Sequence, residues 1–308
     1  MKFEAYDQRF NTLLRADSRL ECLASPARWA EGPVWLPGAD AVVFSDVKAN
    51  RMYRWNRDGR ITIFREQANY ANGNTLDRQG RLISCEHGRR GVSRTDSDGV
   101  ARILVDRFDG KRLNSPNDVV VKSDGSLWFS DPPYGIVGDA EGFKSESQII
   151  GCYVYRFDPE TGEITAVATD VQRPNGLAFS PDESRLYVAD MSIVDFPLQG
   201  RRHLAVYDVV AGRQLANPRV LAQIVPGIPD GLRVDRVGNI FCSCEDGVLV
   251  LDGDGQRMGK IGVPERVSNC TFGGPAQDEL FITATTSLYR VRLATRGCQY
   301  SHLLGEHI

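Results

Sequence analysis

Asn175–Asp190 reads NGLAFSPDESRLYVAD: a short apolar strand opened by Asn-Gly, a Ser-Pro-Asp turn, and a second β-branched and aromatic strand closed by an acid. The same grammar recurs in EGPVWLPGADAVVFSD from Glu31, NGNTLDRQGRLISCE from Asn72 and NDVVVKSDGSLWFSD from Asn117. It recurs again in DGLRVDRVGNIFCSC from Asp230 and NCTFGGPAQDELFITA from Asn269. Successive starts lie 41, 45, 58, 55 and 39 residues apart. A period of about 40–45 residues that carries four short strands is a propeller blade, so six repeats predict a six-bladed β-propeller.

The two long intervals hold extra loop, DPPYGIVGDAEGFKSESQII from Asp131 and DMSIVDFPLQGRR from Asp190. Other strands, such as HLAVYDV, GVLVLD and SLYRVRL, are equally short and are separated by Gly- and Asp-rich turns. Only NTLLRADSRL, residues 11–20, reads as faintly helical. No composition shift marks a second unit, so residues 1–308 are expected to form one propeller domain. Residues 1–30 precede the first repeat, and RLECLA within them is expected to supply the outer strand of the last blade. Such a closure leaves no free edge.

Bulk properties exclude several function classes. The chain of 308 residues carries a formal charge of −3, without the basic stripe that nucleic acid demands. It has no run of 18 apolar residues that would span a membrane. MKFEAYDQRFNTLLRADSRL has no apolar core of a secretory signal, so a cytoplasmic location is expected. Seven cysteines (22, 85, 152, 242, 244, 270 and 298), an odd number, are expected to stay reduced, and none forms a C-x-x-C pair. The turns at Asp96 and Asp252 resemble EF-hand openings, but twelve-residue loops from them would end at Arg107 and Val263 where a Glu is required. There is no G-x-S-x-G, H-E-x-x-H or G-x-x-x-x-G-K-[ST] element.

The repeats open on Glu31, Asn72, Asn117, Asn175, Asp230 and Asn269. Because the innermost strand of each blade runs along the propeller axis, these side chains are expected to converge on one mouth of the channel. Gly follows in four repeats, with Asp118 and Cys270 in the other two, which suits close approach of backbones at the axis. Polar strand starts can also be simple caps. Here, however, all six offer oxygen and two are acids, and clustered carboxylates need a cation or protons to offset them. An all-oxygen set without His or Cys favours a hard divalent ion, Ca²⁺ first, with Mg²⁺, Mn²⁺ and Zn²⁺ as alternatives. His87, in CEHGRR, follows the acid of the second repeat and is a candidate for reaching the mouth, as a substrate contact or a general base.

EGPVW, NSPNDVVVKSDGSLWFSDPPYG, RPNGLAFSPD and PDGLRVD resemble the gluconolactonase branch of the family that also holds regucalcin and luciferin-regenerating enzyme, over roughly residues 20–300. The resemblance implies a six-bladed propeller with one catalytic divalent metal and lactonase activity on sugar lactones such as glucono-1,5-lactone. It places the metal ligands on Glu31, Asn175 and Asp230, makes Asp230 the acid/base group as well, and turns Asn117 towards the substrate. Two positions depart from regucalcin: its Arg two residues before that Asn is Ser115 here, and its Glu eighteen after is Gly135. Tyr134 and Asp131 are the candidates to take over the grip on the substrate, with Asn72 and Asn269 orienting its hydroxyls. The rival readings are a metal-dependent hydrolase of other lactones or esters, and a non-catalytic ring that binds a ligand on its rim.

Overall fold

Strands that are apolar on both faces must be covered on both faces, and a ring of radial sheets does this without an outer layer. The computed structural model describes residues 3–298 and shows such a ring. The two ends of the expected 1–308 domain, residues 1–2 and 299–308, lie outside the described residues.

Six antiparallel sheets form the blades, each starting with its innermost strand. Blade 1 comprises Ala30–Leu36, Ala41–Asp46, Arg51–Asn56 and Ile61–Glu66, and blade 2 comprises Ala71–Leu76, Leu82–Glu86, Gly91–Thr95 and Ala101–Val105. Blade 3 comprises Val119–Val121, Leu127–Ser130, Val154–Phe157 and Ile164–Ala168, and blade 4 comprises Pro174–Phe179, Arg185–Asp190, His203–Val210 and Gln214–Gln223. Blade 5 comprises Leu232–Val234, Ile240–Cys244, Gly247–Leu251 and Arg257–Gly262. Blade 6 has Val267–Gly273, Glu279–Ala284 and Ser287–Arg292 from its own repeat and takes its fourth strand, Glu21–Ala24, from the N-terminal segment.

The N-terminal segment does more than the sequence suggested. Phe3–Ala5 pairs with Arg257–Gly262 and adds a fifth strand to blade 5. The helical reading of residues 11–20 is corrected: the helix is only Arg9–Thr12, and Leu14 bridges to Leu293 instead. The reason is packing, since Phe10 and Leu13 are buried in the cluster between blades 5 and 6, and the chain straightens to reach them.

The core is divided among the blade interfaces. Six clusters of buried side chains occur among the described residues, one for each neighbouring pair of blades. Trp35 of blade 1 stacks on Phe281 of blade 6 at 5.8 Å, Trp128 of blade 3 meets Phe179 of blade 4 edge-on at 5.3 Å, and Phe241 of blade 5 meets Phe272 of blade 6 at 5.1 Å. Six interfaces for six blades mean a closed ring; an open stack would have one fewer. No helix among the described residues is long and apolar enough to cross a membrane.

Candidate active site

The mouth is built where the innermost strands begin. In blades 1, 2, 4 and 6 the pairing of the first strand with the second shifts register near its start, at Glu31/Val34, Ala71/Asn74, Pro174/Leu177 and Val267/Asn269. Such bulges re-aim a side chain at the end of a ladder. Neighbouring inner strands then touch through the small residue that follows. Gly73 N donates to Asn117 O at 2.8 Å, Gly176 N to Asp230 O at 3.1 Å and Gly231 N to Ser268 O at 2.7 Å. A Cβ on Gly176 would lie 2.3 Å from Asp230 O, and one on Gly32 would lie 2.0 Å from Asn72 O, so backbone crowding accounts for these glycines. Hydroxyls of the second strands complete the frame: Ser45 Oγ donates to Asn72 O at 2.8 Å, and Ser243 Oγ accepts from Asp230 N at 2.9 Å. Ser268 Oγ donates to Ala30 O at 2.6 Å, which joins blade 6 to blade 1.

All six repeat-opening residues are buried, with exposures of 2–5% for five of them and 6% for Asp230. Glu31 and Asp230 form the electrostatic centre. Burial raises the Glu31 carboxyl well above the usual range, and the charge of Asp230 raises it further, offset in part by the Gly32 N–H that donates to Glu31 Oε2 at 3.0 Å. Burial also raises Asp230; the Arg266 guanidinium opposes that rise, while Asp118 and Glu141 add to it. Asn175 hydrogen-bonds Asp230 and donates through Nδ2 to Met191 Sδ at 2.8 Å. Its amide nitrogen is thereby occupied, which leaves Oδ1 as the acceptor that can face an ion.

Asp118, the acid that stands where four repeats have Gly, pairs with Arg233 Nη1 at 3.4 Å, both fully buried, and is hydrogen-bonded by Asn269. Asn269 Oδ1 also accepts from Cys270 N at 2.8 Å. Both groups of the Asn269 amide are therefore engaged inside the channel. The break in the glycine pattern at Asp118 was the available sign of this buried pair.

His87 is fully buried and is pushed down to about 4 by that burial. Its Nδ1 lies 2.9 Å from Glu141 O, and a carbonyl only accepts, so Nδ1 carries the proton. Nε2 then receives Asn72 Nδ2 at 3.4 Å. The imidazole is a neutral spacer between Asn72 and the blade 3 loop, and neither nitrogen is available as a base.

Asp131 Oδ2 accepts from Asn114 N at 2.8 Å, and burial pushes its carboxyl up to about 7. Asp46 and Asp190 hold the chain entering blades 1 and 4 in the same way, through the N–H groups of Arg28 and Trp29 and of Gln172 and Arg173. Asp131 thus belongs, with Asp46 and Asp190, to a recurring tie of the entering chain to its blade. Tyr134 lies closer to the centre: its buried hydroxyl has no hydrogen-bond partner among the described residues, and Asp195, Arg173 and Asp230 act on it. Asn117 is fixed by its backbone, N to Ser130 O at 2.9 Å and O from Gly73 N.

The donor set at Glu31, Asn175 and Asp230 suits a hard cation: two buried carboxylates that resist ionising together, plus an amide oxygen. Among the described residues no group of three His, Cys, Asp or Glu side chains gathers as a ligand set, so the cluster would rely on amide and water oxygens to complete a shell.

Known proteins share this architecture. The family model described as SMP-30/Gluconolactonase/LRE-like region matches residues 29–286. The chain is 32% identical to a gluconolactonase from Zymomonas mobilis, over 96% of this chain and 87% of that one. It is 29% identical to a pentonolactonase from Haloferax volcanii, over 83% and 81% of the two chains. The solved structure of a gluconolactonase from Xanthomonas campestris superposes with a TM-score of 0.89 at 38% identity, covering 95% of each chain. With the family model matching residues 29–286, across all six repeat motifs, the chain belongs to the SMP-30/gluconolactonase/LRE-like family.

Proposed function

We propose that this chain hydrolyses sugar lactones such as glucono-1,5-lactone to the aldonic acid, with a divalent cation held by Glu31, Asn175 and Asp230. The observation that carries this reading is the burial of two carboxyls at the repeat starts, Glu31, which the charge of Asp230 raises further, and Asp230, which the Asn175 amide hydrogen-bonds. The gluconolactonase and pentonolactonase relatives support the substrate class. Such a cation supplies Lewis-acid polarisation of the ring carbonyl. Asp230 takes the proton of the attacking water as its oxygen bonds to the carbonyl carbon. It returns that proton to the ring oxygen as the ring C–O bond breaks, which balances the hydrolysis. Asn72 and Asn117 both donate and accept, and so suit the hydroxyls of an aldonolactone. His87 acts by setting the Asn72 amide.

A second reading has support from one observation. Val137, Phe143, Ile150 and Leu198, on the extended loops of blades 3 and 4, are exposed at 58–99% on the mouth face. An apolar rim of this kind suits a lactone with a hydrophobic tail.

The test is an assay of aldonolactones and acyl lactones with and without chelator, followed by rescue with single cations. Chelation is expected to abolish turnover, with one ion restoring it. Glu31→Gln should weaken cation affinity and recover when the cation is raised. Asp230→Asn should stay about 10²–10⁴-fold low in kcat/KM even at saturating cation, because the base is gone. Undiminished turnover in Asp230→Asn would remove Asp230 from the chemistry.

A further inference from the structure

The excursion of blade 3 between Asp131 and Val154 brings a further acid to the mouth. Ser115 Oγ donates to Pro132 O at 2.6 Å and accepts from Gly135 N at 2.9 Å. Arg90 Nη1 donates to Ser145 Oγ at 2.9 Å, and Phe143 meets Tyr70 edge-on at 5.3 Å. Asp139 Oδ1 accepts from Lys144 N at 2.8 Å across the tip, and His87 Nδ1 holds Glu141 O at 2.9 Å. The segment is therefore a tethered wall that crosses blade 2 and delivers Glu141 to blade 1.

There the Glu141 carboxylate meets Lys48 Nζ at 3.7 Å through Oε1. Lys48 lies over the Trp29 ring, 4.7 Å from its centroid, and Arg266 lies 5.6 Å from the same centroid. Trp29 is two residues before Glu31, so Glu141 stands against the same wall of the mouth as Glu31. Its charge reaches both Glu31 and Asp230, consistent with that placement. The side chain is 26% exposed, and among the described residues no donor hydrogen-bonds Oε2. A carboxylate with one oxygen loosely paired and the other free, held on a fixed wall above the reacting centre, is an acceptor for hydroxyl donors.

We propose that Glu141 is the specificity-determining residue for hydroxylated lactones, its Oε2 accepting hydrogen bonds from ring hydroxyls of a substrate seated over Glu31 and Asp230. This rests on the sugar-lactone reading above. A lactone without hydroxyls makes no such bond and leaves Oε2 without a donor in the filled mouth, which is the usual origin of strong discrimination.

The test compares kcat/KM for glucono-1,5-lactone and for δ-valerolactone, the same ring size without hydroxyls, in the cation-supplemented full chain. Glu141→Ala is expected to reduce the ratio of the two about 10–100-fold, the scale of a lost charged hydrogen bond. Glu141→Gln, which keeps an acceptor without the charge, should fall between, and it carries the test if the Ala variant does not fold. A wild type that prefers the aldonolactone, with that preference unchanged in both variants, overturns the role of Glu141 alone. A wild type that opens δ-valerolactone and refuses aldonolactones overturns the sugar-lactone reading, and this role with it.

Discussion

His87 shows how a single buried side chain can serve the mouth without touching its chemistry. Fully enclosed, it hydrogen-bonds Glu141 O through Nδ1 and Asn72 Nδ2 through Nε2, so it joins the wall of blade 3 to the inner strand of blade 2. A second proton would have to displace Asn72 and enter a site with no counter-charge, which is why burial pushes it from 6.5 down to about 4. Between those values the unfolded chain takes up a proton that the folded chain refuses. The contribution of His87 to stability is thus complete above about pH 6.5 and is lost as the pH falls towards 4, by about 2–3 kcal/mol at pH 4.5. Denaturant unfolding at pH 7.5 and pH 4.5 measures this. His87→Gln, which does not titrate, is expected to lose about 2–3 kcal/mol less than the wild type between the two conditions. An equal loss in both proteins would show that His87 takes up its proton as readily in the folded chain as in the unfolded one, and that burial does not depress it.

At the scale of the strand, the first few residues of the repeats that open at Asn72 and Asn175 do several jobs at once. The bulge aims the opening side chain, the following Gly lets the next strand approach, and an N–H of that Gly binds the neighbour's carbonyl. Gly176 illustrates the constraint: an added Cβ would lie 2.3 Å from Asp230 O and 2.7 Å from Gly231 Cα, both backbone and unable to turn away. Gly176→Ala is expected to cost about 1–3 kcal/mol of stability and to lower activity as well, because the displaced atom is the carbonyl of Asp230. Unchanged turnover and midpoint would show that the strands can separate there. Those elements were legible because they repeat: Asn-Gly or Asp-Gly openings, turns and apolar pairs recur at a blade's spacing, and the six opening residues follow from that register, whereas singling out Glu31, Asn175 and Asp230 among them came from the family resemblance. Glu141 and Arg266 were not legible. They lie in irregular connections, and what brings Glu141 to the mouth is a set of tethers such as Ser115, Arg90 and Tyr70 that have no spacing in the chain. Arg233 and Asp118 were half visible, since an acid in a glycine position demands a partner, but the repeat does not say which blade supplies it.

The whole ring behaves differently from the sum of its blades because it is closed. Each blade shares one apolar cluster with each neighbour, and the last interface is sealed by pairing Glu21–Ala24 with Ser287–Arg292. A ring of this kind has no end from which blades can peel, so opening any interface exposes the apolar faces of two sheets. The proposed cation would add a link that the interfaces lack, since Glu31, Asn175 and Asp230 belong to blades 1, 4 and 5, and blade 1 adjoins neither of the other two. Its binding free energy then acts on the cooperative unit and not on one blade. At a free cation concentration 100-fold above Kd the folded state should gain about 2.7 kcal/mol, which for a chain of this size is a rise of about 4 °C in Tm. Calorimetry with cation and with chelator measures it. The expected outcome is one transition that moves upward with the logarithm of cation concentration in the wild type and begins to move only at higher cation concentration in Glu31→Gln. A midpoint indifferent to chelator would mean that no ion ties these three blades together. The raised carboxyls of Glu31 and Asp230 would then be offset by a shared proton, and hydrolysis would have to proceed on this chain's own side chains.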